Sequence, residues 1–197
     1  MTPGKMITFY GINNLGKSTQ AKLLVDSLND AGHPAEYLKY PIYDLEPFGP
    51  MINNYLRHDN PDNLNSRESQ LIFILNRTQY EKTLLEKINR GITIVAEDYC
   101  GTGIAWGIGY GGSKNFLKAV NQHLHREDLA FLFDGERFKE AIEKNHRHEN
   151  DHDKIILVRQ AHLELGEEYG WIKINANLTI PEIQEQIWQR VKTIFSL

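Results

Sequence analysis

Residues 6–32 read MITFYGINNLGKSTQAKLLVDSLNDAG. The opening MITFYG is β-branched and aromatic and ends in glycine, which predicts a short strand. Residues 18–32, STQAKLLVDSLNDAG, carry apolar residues at helical spacing and stop at Gly32. Between strand and helix stands GINNLGKS, residues 11–18, which matches G-x-x-x-x-G-K-[ST] in full. Each position has a physical task. Gly11 and Gly16 let the backbone turn tightly and come close to an anion. Successive N–H groups, from Asn13 and Asn14 to Thr19, and the helix N-terminus then cradle phosphate oxygens. Lys17 reaches the β- and γ-phosphates, and Ser18 offers a hydroxyl to Mg²⁺. ATP with Mg²⁺ is therefore the expected ligand.

Working outward, strands are expected at 35–41, 92–99, 129–135 and 171–176, and helices at 66–91, in NFLKAVNQHLH, across 136–170 and at 179–195. The 136–170 helix is interrupted by a very polar patch at 145–153. GTGIAWGIGYGGS, residues 101–113, reads as a glycine-rich segment wrapped around a site. Strands alternating with helices predict βαβ units, a five-stranded parallel sheet and helices on both faces. Ligands of such sheets bind at the carboxyl ends of strands. Two strand ends, near 97 and 134, carry acids. Glu97 and Asp98 follow the apolar run ITIVA, where an acid that holds magnesium or acts in catalysis is expected. A cation would relieve the repulsion between two adjacent carboxylates.

The 197 residues suit one domain, and the formal charge of −4 offers no basic field for nucleic acid and no polybasic tract for a membrane surface. Cys100 is the one cysteine, which fits a reducing, cytoplasmic compartment. No run approaches the roughly 18 apolar residues of a membrane span.

Three stretches together, GINNLGKSTQ, EDYCGTGIAWG and LIFILNRTQ, resemble the thymidylate kinase family. The family's loop is usually G-x-D-x-x-G-K-S-T-Q. Its strand end reads D-R-Y-x-x-S-G-x-A-Y/F, and its helix L-L-F-x-x-x-R. NHRHEN, residues 145–150, resembles the lid segment, and WIKINANLTIPEIQEQI the final strand and helix. The likeness runs in order along nearly the whole chain. It implies a three-layer P-loop kinase fold, a single domain over residues 1–197 with a short helical lid at about 140–153, and transfer of phosphate from ATP to dTMP. It also implies a homodimer, for which the long helix 66–90 is a candidate surface. Glu97 matches the aspartate of D-R-Y and is the expected metal ligand with Ser18. Lys17, Glu97 and Arg147, the lid arginine, form the expected catalytic set. On the acceptor side the resemblance implies that Phe73 stacks on the base and Arg77 hydrogen-bonds it. It sets Thr102 near the base and Trp106 under the sugar, with Tyr99 in the same run. Without the resemblance, Phe73 reads as core and Arg77 as a surface residue.

The departures concentrate on that side. Asn13 stands where the family has aspartate, and Asn14 where eukaryotic members have arginine. Asp98 replaces the arginine of D-R-Y, and Tyr43 the arginine of an F-P-x-R segment. Those last two arginines usually clamp the acceptor phosphate. A carboxylate in their place repels that phosphate by about 4 kcal/mol per unit-charge pair at 4 Å and an effective dielectric near 20. Magnesium, Lys39, Arg57 or a partner subunit could compensate. A second enzyme reading therefore stands beside the first: a deoxynucleoside kinase in which Glu97 or Asp98 takes the proton of a 5′-hydroxyl. A third is a non-catalytic nucleotide-binding regulator, against which Lys17, Ser18, Glu97 and Arg147 all argue. His146, His148 and His152 are expected to belong to a solvated lid rather than a zinc site.

Overall fold

The structure, a computed structural model, describes residues 2–138 and 151–195. The strands are β1 (Met6–Tyr10), β2 (Ala35–Lys39), β3 (Thr93–Glu97), β4 (Leu129–Asp134) and β5 (Ile172–Asn175). They form one parallel sheet in the order β2-β3-β1-β4-β5. Seven helices lie among the described residues: α1 (Lys17–Asp30), α2 (Phe48–Arg57), α3 (Ser66–Asn89), α4 (Cys100–Gly109), α5 (Lys114–Asn121), α6 (His152–Tyr169) and α7 (Ile180–Phe195). The expected fold class and all five strands are thus present.

Every residue of β1 and β3 is buried. Strands covered on both faces read as continuous apolar runs, which is why MITFY and TIVAE lack alternation. The pleat sends their side chains to opposite layers. Ile7 and Phe9 pack with Leu24 and Leu28 of α1 and Ile183 and Ile187 of α7. Met6 and Tyr10 pack with Leu84 and Ile88 of α3. The edge strands β2 and β5 are only partly buried.

The long helix α3 starts at a capping box: the Asn65 side chain accepts from the N–H groups of Arg67 and Glu68, and Glu68 accepts from the N–H of Asn65. Halfway along, the Asn76 side chain accepts from the Ile42 N–H at 2.9 Å and donates to the Ile42 carbonyl at 2.9 Å. This pins the segment after β2 against α3.

One helix went unread in the sequence: GTGIAWGIG, expected as a glycine-rich segment around a site, is the body of α4. Glycine costs a helix about 1 kcal/mol against alanine, so the composition points the wrong way. The structure supplies the compensation in packing. A Cβ on Gly101 would lie 2.4 Å from the Trp171 ring, on Gly107 2.6 Å from Leu117, and on Gly109 2.3 Å from Val158. Bare backbone lets α4 lie directly on α5, α6 and the β5 edge.

Buried in α6, His162 has its Nδ1 2.9 Å from the Val158 carbonyl. Burial lowers its pKa to about 3. An unfolded histidine titrates near 6.5, so folding disfavours this proton. The associated stability is complete above about pH 6.5 and drains away as pH falls toward about 3. We expect His162→Asn to flatten the acid limb of stability by up to about 1.4 kcal/mol per pH unit in that window. Urea unfolding of both proteins at several pH values measures it; parallel limbs would contradict the assignment.

Candidate active site

The loop between β1 and α1 is shaped by positive backbone angles. Gly11 has φ 132°, and a Cβ there would sit 2.4 Å from the Phe133 carbonyl oxygen. No other residue fits. Asn14 has φ 65°, a left-handed conformation that asparagine tolerates better than most residues. The N-cap of α1 is Gly16, with no side-chain capping hydrogen bond. The first N–H groups of α1 are therefore turned toward a ligand anion, with the positive end of the helix dipole behind them.

Lys17 is buried. Its Nζ donates to the carbonyls of Gly11 at 3.0 Å and Ile12 at 2.8 Å, and lies 3.6 Å from Asp98 Oδ1. Parallel register sets Lys39 of β2 opposite Glu97 of β3, and Lys39 Nζ meets Glu97 Oε1 at 3.1 Å. The Tyr37 hydroxyl donates to the other carboxylate oxygen. Burial alone would raise the Glu97 pKa, but Lys17, Lys39, the Ser18 hydroxyl and Tyr37 outweigh it and hold it below the usual range. Glu97 is thus ionised at neutral pH and within hydrogen-bonding reach of Ser18. A carboxylate and a hydroxyl side by side are the hard oxygen donors Mg²⁺ prefers, so these residues fit the ion expected there.

Asp98 leaves the strand at φ 58°, its N–H donating to the Phe9 carbonyl at 3.1 Å. Its Oδ1 accepts from the Thr102 hydroxyl at 2.9 Å as well as facing Lys17. Burial, with Glu97 beside it, raises its pKa despite that lysine. Asp98 is therefore a partnered carboxylate, and the repulsion expected from the sequence is correspondingly weakened. The other acid-tipped strand end does not share in the site. Asp134 is held by Arg159 at 2.6 and 3.1 Å and by Lys173 at 2.9 Å.

A single cavity of about 560 Å³ joins these groups. Asn13, Asn14, Gly16, Lys17, Ser18 and Thr19 line one part, and Tyr43, Phe73, Arg77, Tyr99, Thr102 and Trp106 another, with Glu97 and Asp98 also in the wall. Every sequence-derived site residue among the described ones lines it, save Gly11, which shapes the loop from beneath. Phe73 is 9% exposed, packs with Ile52, Tyr55 and Leu56 as the core reading expects, and still lines the cavity. Arg77 donates from Nη2 to Asn121 Oδ1 at 3.0 Å. Its Nε, and the hydroxyls of Tyr40 and Tyr99, are buried with no hydrogen-bond partner among the described residues. Such atoms are costly unless a ligand or water satisfies them.

Arg147, His146, His148 and most of the lid span lie outside the described residues. Its end is the N-terminus of α6, where the Asp151 side chain accepts from the Lys154 N–H at 3.1 Å. Among the described residues no group of three His, Cys, Asp or Glu could hold a metal.

The sequence reading missed two features. Arg137 donates from Nε to the Asn13 carbonyl at 3.3 Å, and the Phe138 N–H donates to the Asn14 carbonyl at 2.9 Å. The chain after β4 thus returns onto the phosphate loop, and an arginine in a polar run gave no sign of it. Lys39 and Tyr37 support Glu97, which alternation along an edge strand could have suggested, since both share Glu97's neighbourhood through register.

A family model described as thymidylate kinase matches residues 9–187. The thymidylate kinase of Dictyostelium discoideum is 29% identical over 188 residues, covering 93% of this chain and 83% of that protein. The human thymidylate kinase is 28% identical over 192 residues, covering 93% and 88%. Among solved structures, the thymidylate kinase of Candida albicans matches with a TM-score of 0.78 at 22% identity, over 97% of this chain and 92% of that one.

Proposed function

The chain belongs to the thymidylate kinase family, and from that premise we propose that it transfers the γ-phosphoryl of ATP to dTMP, giving dTDP and ADP. One observation carries the reading: a phosphate loop ending in Lys17 and Ser18 opens into the same cavity as Phe73 and Arg77. At about 560 Å³ that cavity is within the usual range of ligand-binding sites.

In this mechanism the α1 N-terminus and loop N–H groups receive the β- and γ-phosphates of ATP. Lys17 exchanges the Gly11 and Ile12 carbonyls for phosphate oxygens. Glu97 and Ser18 would hold magnesium, which would supply charge neutralisation for the transferring phosphoryl. Phe73 stacks on the thymine, and Arg77 donates to its edge. An oxygen of the acceptor phosphate bonds to the γ-phosphorus as the bond to ADP breaks. Catalysis is positioning and charge neutralisation, with no covalent intermediate. A phosphate acceptor reaches the reaction already ionised and needs no general base. Arg147, which lies outside the described residues, is the transition-state cation of this reading.

ATP consumption measured with dTMP, thymidine and other nucleoside monophosphates tests the proposal. Turnover highest with dTMP is expected. Turnover with thymidine but not dTMP would replace it with the nucleoside kinase reading, and turnover with neither with the regulator.

A homodimer belongs to the same proposal. Leu71, Leu75 and Leu85 of α3 are 38%, 42% and 37% exposed and fall within an arc of about 80° on the helix. Leu75→Glu should convert the dimer to monomer in light scattering; a dimer that survives it uses another face. A cytoplasmic location is likewise proposed. No helix among the described residues is long and apolar enough to cross a membrane, and burial pushes the Cys100 thiol up to about 12, leaving it unreactive.

A further inference from the structure

Arg77 starts on α3, but two other helices decide where its guanidinium sits. The residue is 3% exposed, and among the described residues its hydrogen bond runs from Nη2 to Asn121 Oδ1, at 3.0 Å. Asn121 is the last residue of α5 and is itself buried, 7% exposed. Its amide is oriented by a second bond. Nδ2 donates to the Leu117 carbonyl at 2.8 Å, which turns Oδ1, the acceptor end, to Arg77. Leu117 is seated against α4 where Gly107 has no side chain, since a Cβ there would lie 2.6 Å from it. Gly103 of α4 meets the guanidinium directly: a Cβ there would lie 2.8 Å from Nη2 and 3.1 Å from Nη1. The guanidinium is thus held by α5 and admitted by α4. Arg77, Phe73 and Gly103 line the cavity, whereas Asn121 reaches it through Arg77.

An arginine side chain carries about 2 kcal/mol of rotamer entropy, so an unanchored guanidinium meets a ligand in many orientations. A guanidinium offers donors and no acceptor. Held at one angle, it favours a base edge that bears a carbonyl and rejects one that bears an amino group, whose hydrogens would face its own. We propose that Asn121 is a positioning residue: it fixes Arg77 at the angle from which its remaining N–H groups select a pyrimidine with a carbonyl on that edge over one with an amino group. This assignment rests on the reading that the acceptor is a thymidine-type nucleotide whose base meets Arg77.

The test is a double-mutant cycle on the full chain, with wild type, Asn121→Leu, Arg77→Gln and the pair. Calorimetric binding, kcat and KM are measured with dTMP and with dCMP. Asn121→Leu should raise Kd and KM for dTMP about tenfold, the cost of one lost hydrogen bond to a charged group, with kcat largely kept. The preference for dTMP over dCMP should fall by a similar factor. In the Arg77→Gln background the same change should add less than about twofold, because its effect passes through Arg77. Asn121→Asp, which keeps an acceptor for Nη2, should retain more dTMP affinity than Asn121→Leu. Asn121→Ala takes the leucine's place in the cycle if that variant does not fold. Unchanged dTMP affinity in Asn121→Leu overturns the assignment. An equal loss in both backgrounds, or for both nucleotides, also overturns it and marks a structural role. If the wild type phosphorylates dTMP in those cases, only the role of Asn121 fails. If the wild type binds and phosphorylates thymidine alone, the proposed function fails, and the cycle repeated with thymidine and deoxycytidine decides the role of Asn121 separately.

Discussion

Lys17→Ala is expected to lower phosphoryl transfer by about a thousandfold or more while the protein stays folded. One positive charge at about 4 Å from a phosphate oxygen, at an effective dielectric near 20, is worth about 4 kcal/mol, or roughly three powers of ten in rate. The effect on the fold is smaller. Lys17 Nζ bonds two loop carbonyls and faces Asp98, and Lys17 and Asp98 line the cavity. The space Lys17 leaves opens to that cavity and admits water, and Asp98 keeps its Thr102 hydrogen bond. A steady-state assay beside a thermal melt separates the two effects. Near wild-type rates would remove the loop from the chemistry.

Glu97→Gln is expected to cost about a hundredfold to a thousandfold in kcat, two to three times the free energy of one lost tenfold step. The amide matches the carboxylate in shape and can still accept from Tyr37. It loses the charge that pairs with Lys39 and, in the proposed mechanism, holds magnesium. The half-saturating magnesium concentration should therefore rise, and a titration of rate against Mg²⁺ reads this directly. Glu97→Asp, the residue thymidylate kinases usually carry here, should retain more activity than Glu97→Gln. A rate and a magnesium dependence both unchanged in Glu97→Gln would show that the carboxylate serves only Lys39 and Tyr37.

The fold was legible because its signals are local and repeat. Strands such as TIVAE are apolar throughout since both faces are covered, and helix stops at Gly32 and Gly91 need only a positive φ. The donor loop was legible for a similar reason, its geometry being set by adjacent residues. The helical form of α4 was not legible because glycine's backbone preference points away from a helix. Its packing partners Trp171, Leu117 and Val158 are distant in sequence, and no local pattern announces them. The acceptor side was legible in identity but not in balance. Asp98 looked like an unopposed charge, because Lys17 and Thr102 meet it only after the strand end turns left-handed. Arg137 was invisible for the same reason: what it touches is decided by a chain reversal rather than by spacing.

The two sides of α4 carry separate obligations. Thr102 and Trp106 look into the cavity, while Gly101, Gly107 and Gly109 keep the helix flush against its neighbours. Thr102 can change without disturbing the seating of the helix, whereas Trp106 is also part of the core, and the seating tolerates almost no change at the three glycines. Under the proposed function, acceptor preference can therefore drift by exchange at Thr102 at little cost in stability. The substitution of Asp98, immediately before α4, is the kind of exchange such an arrangement permits.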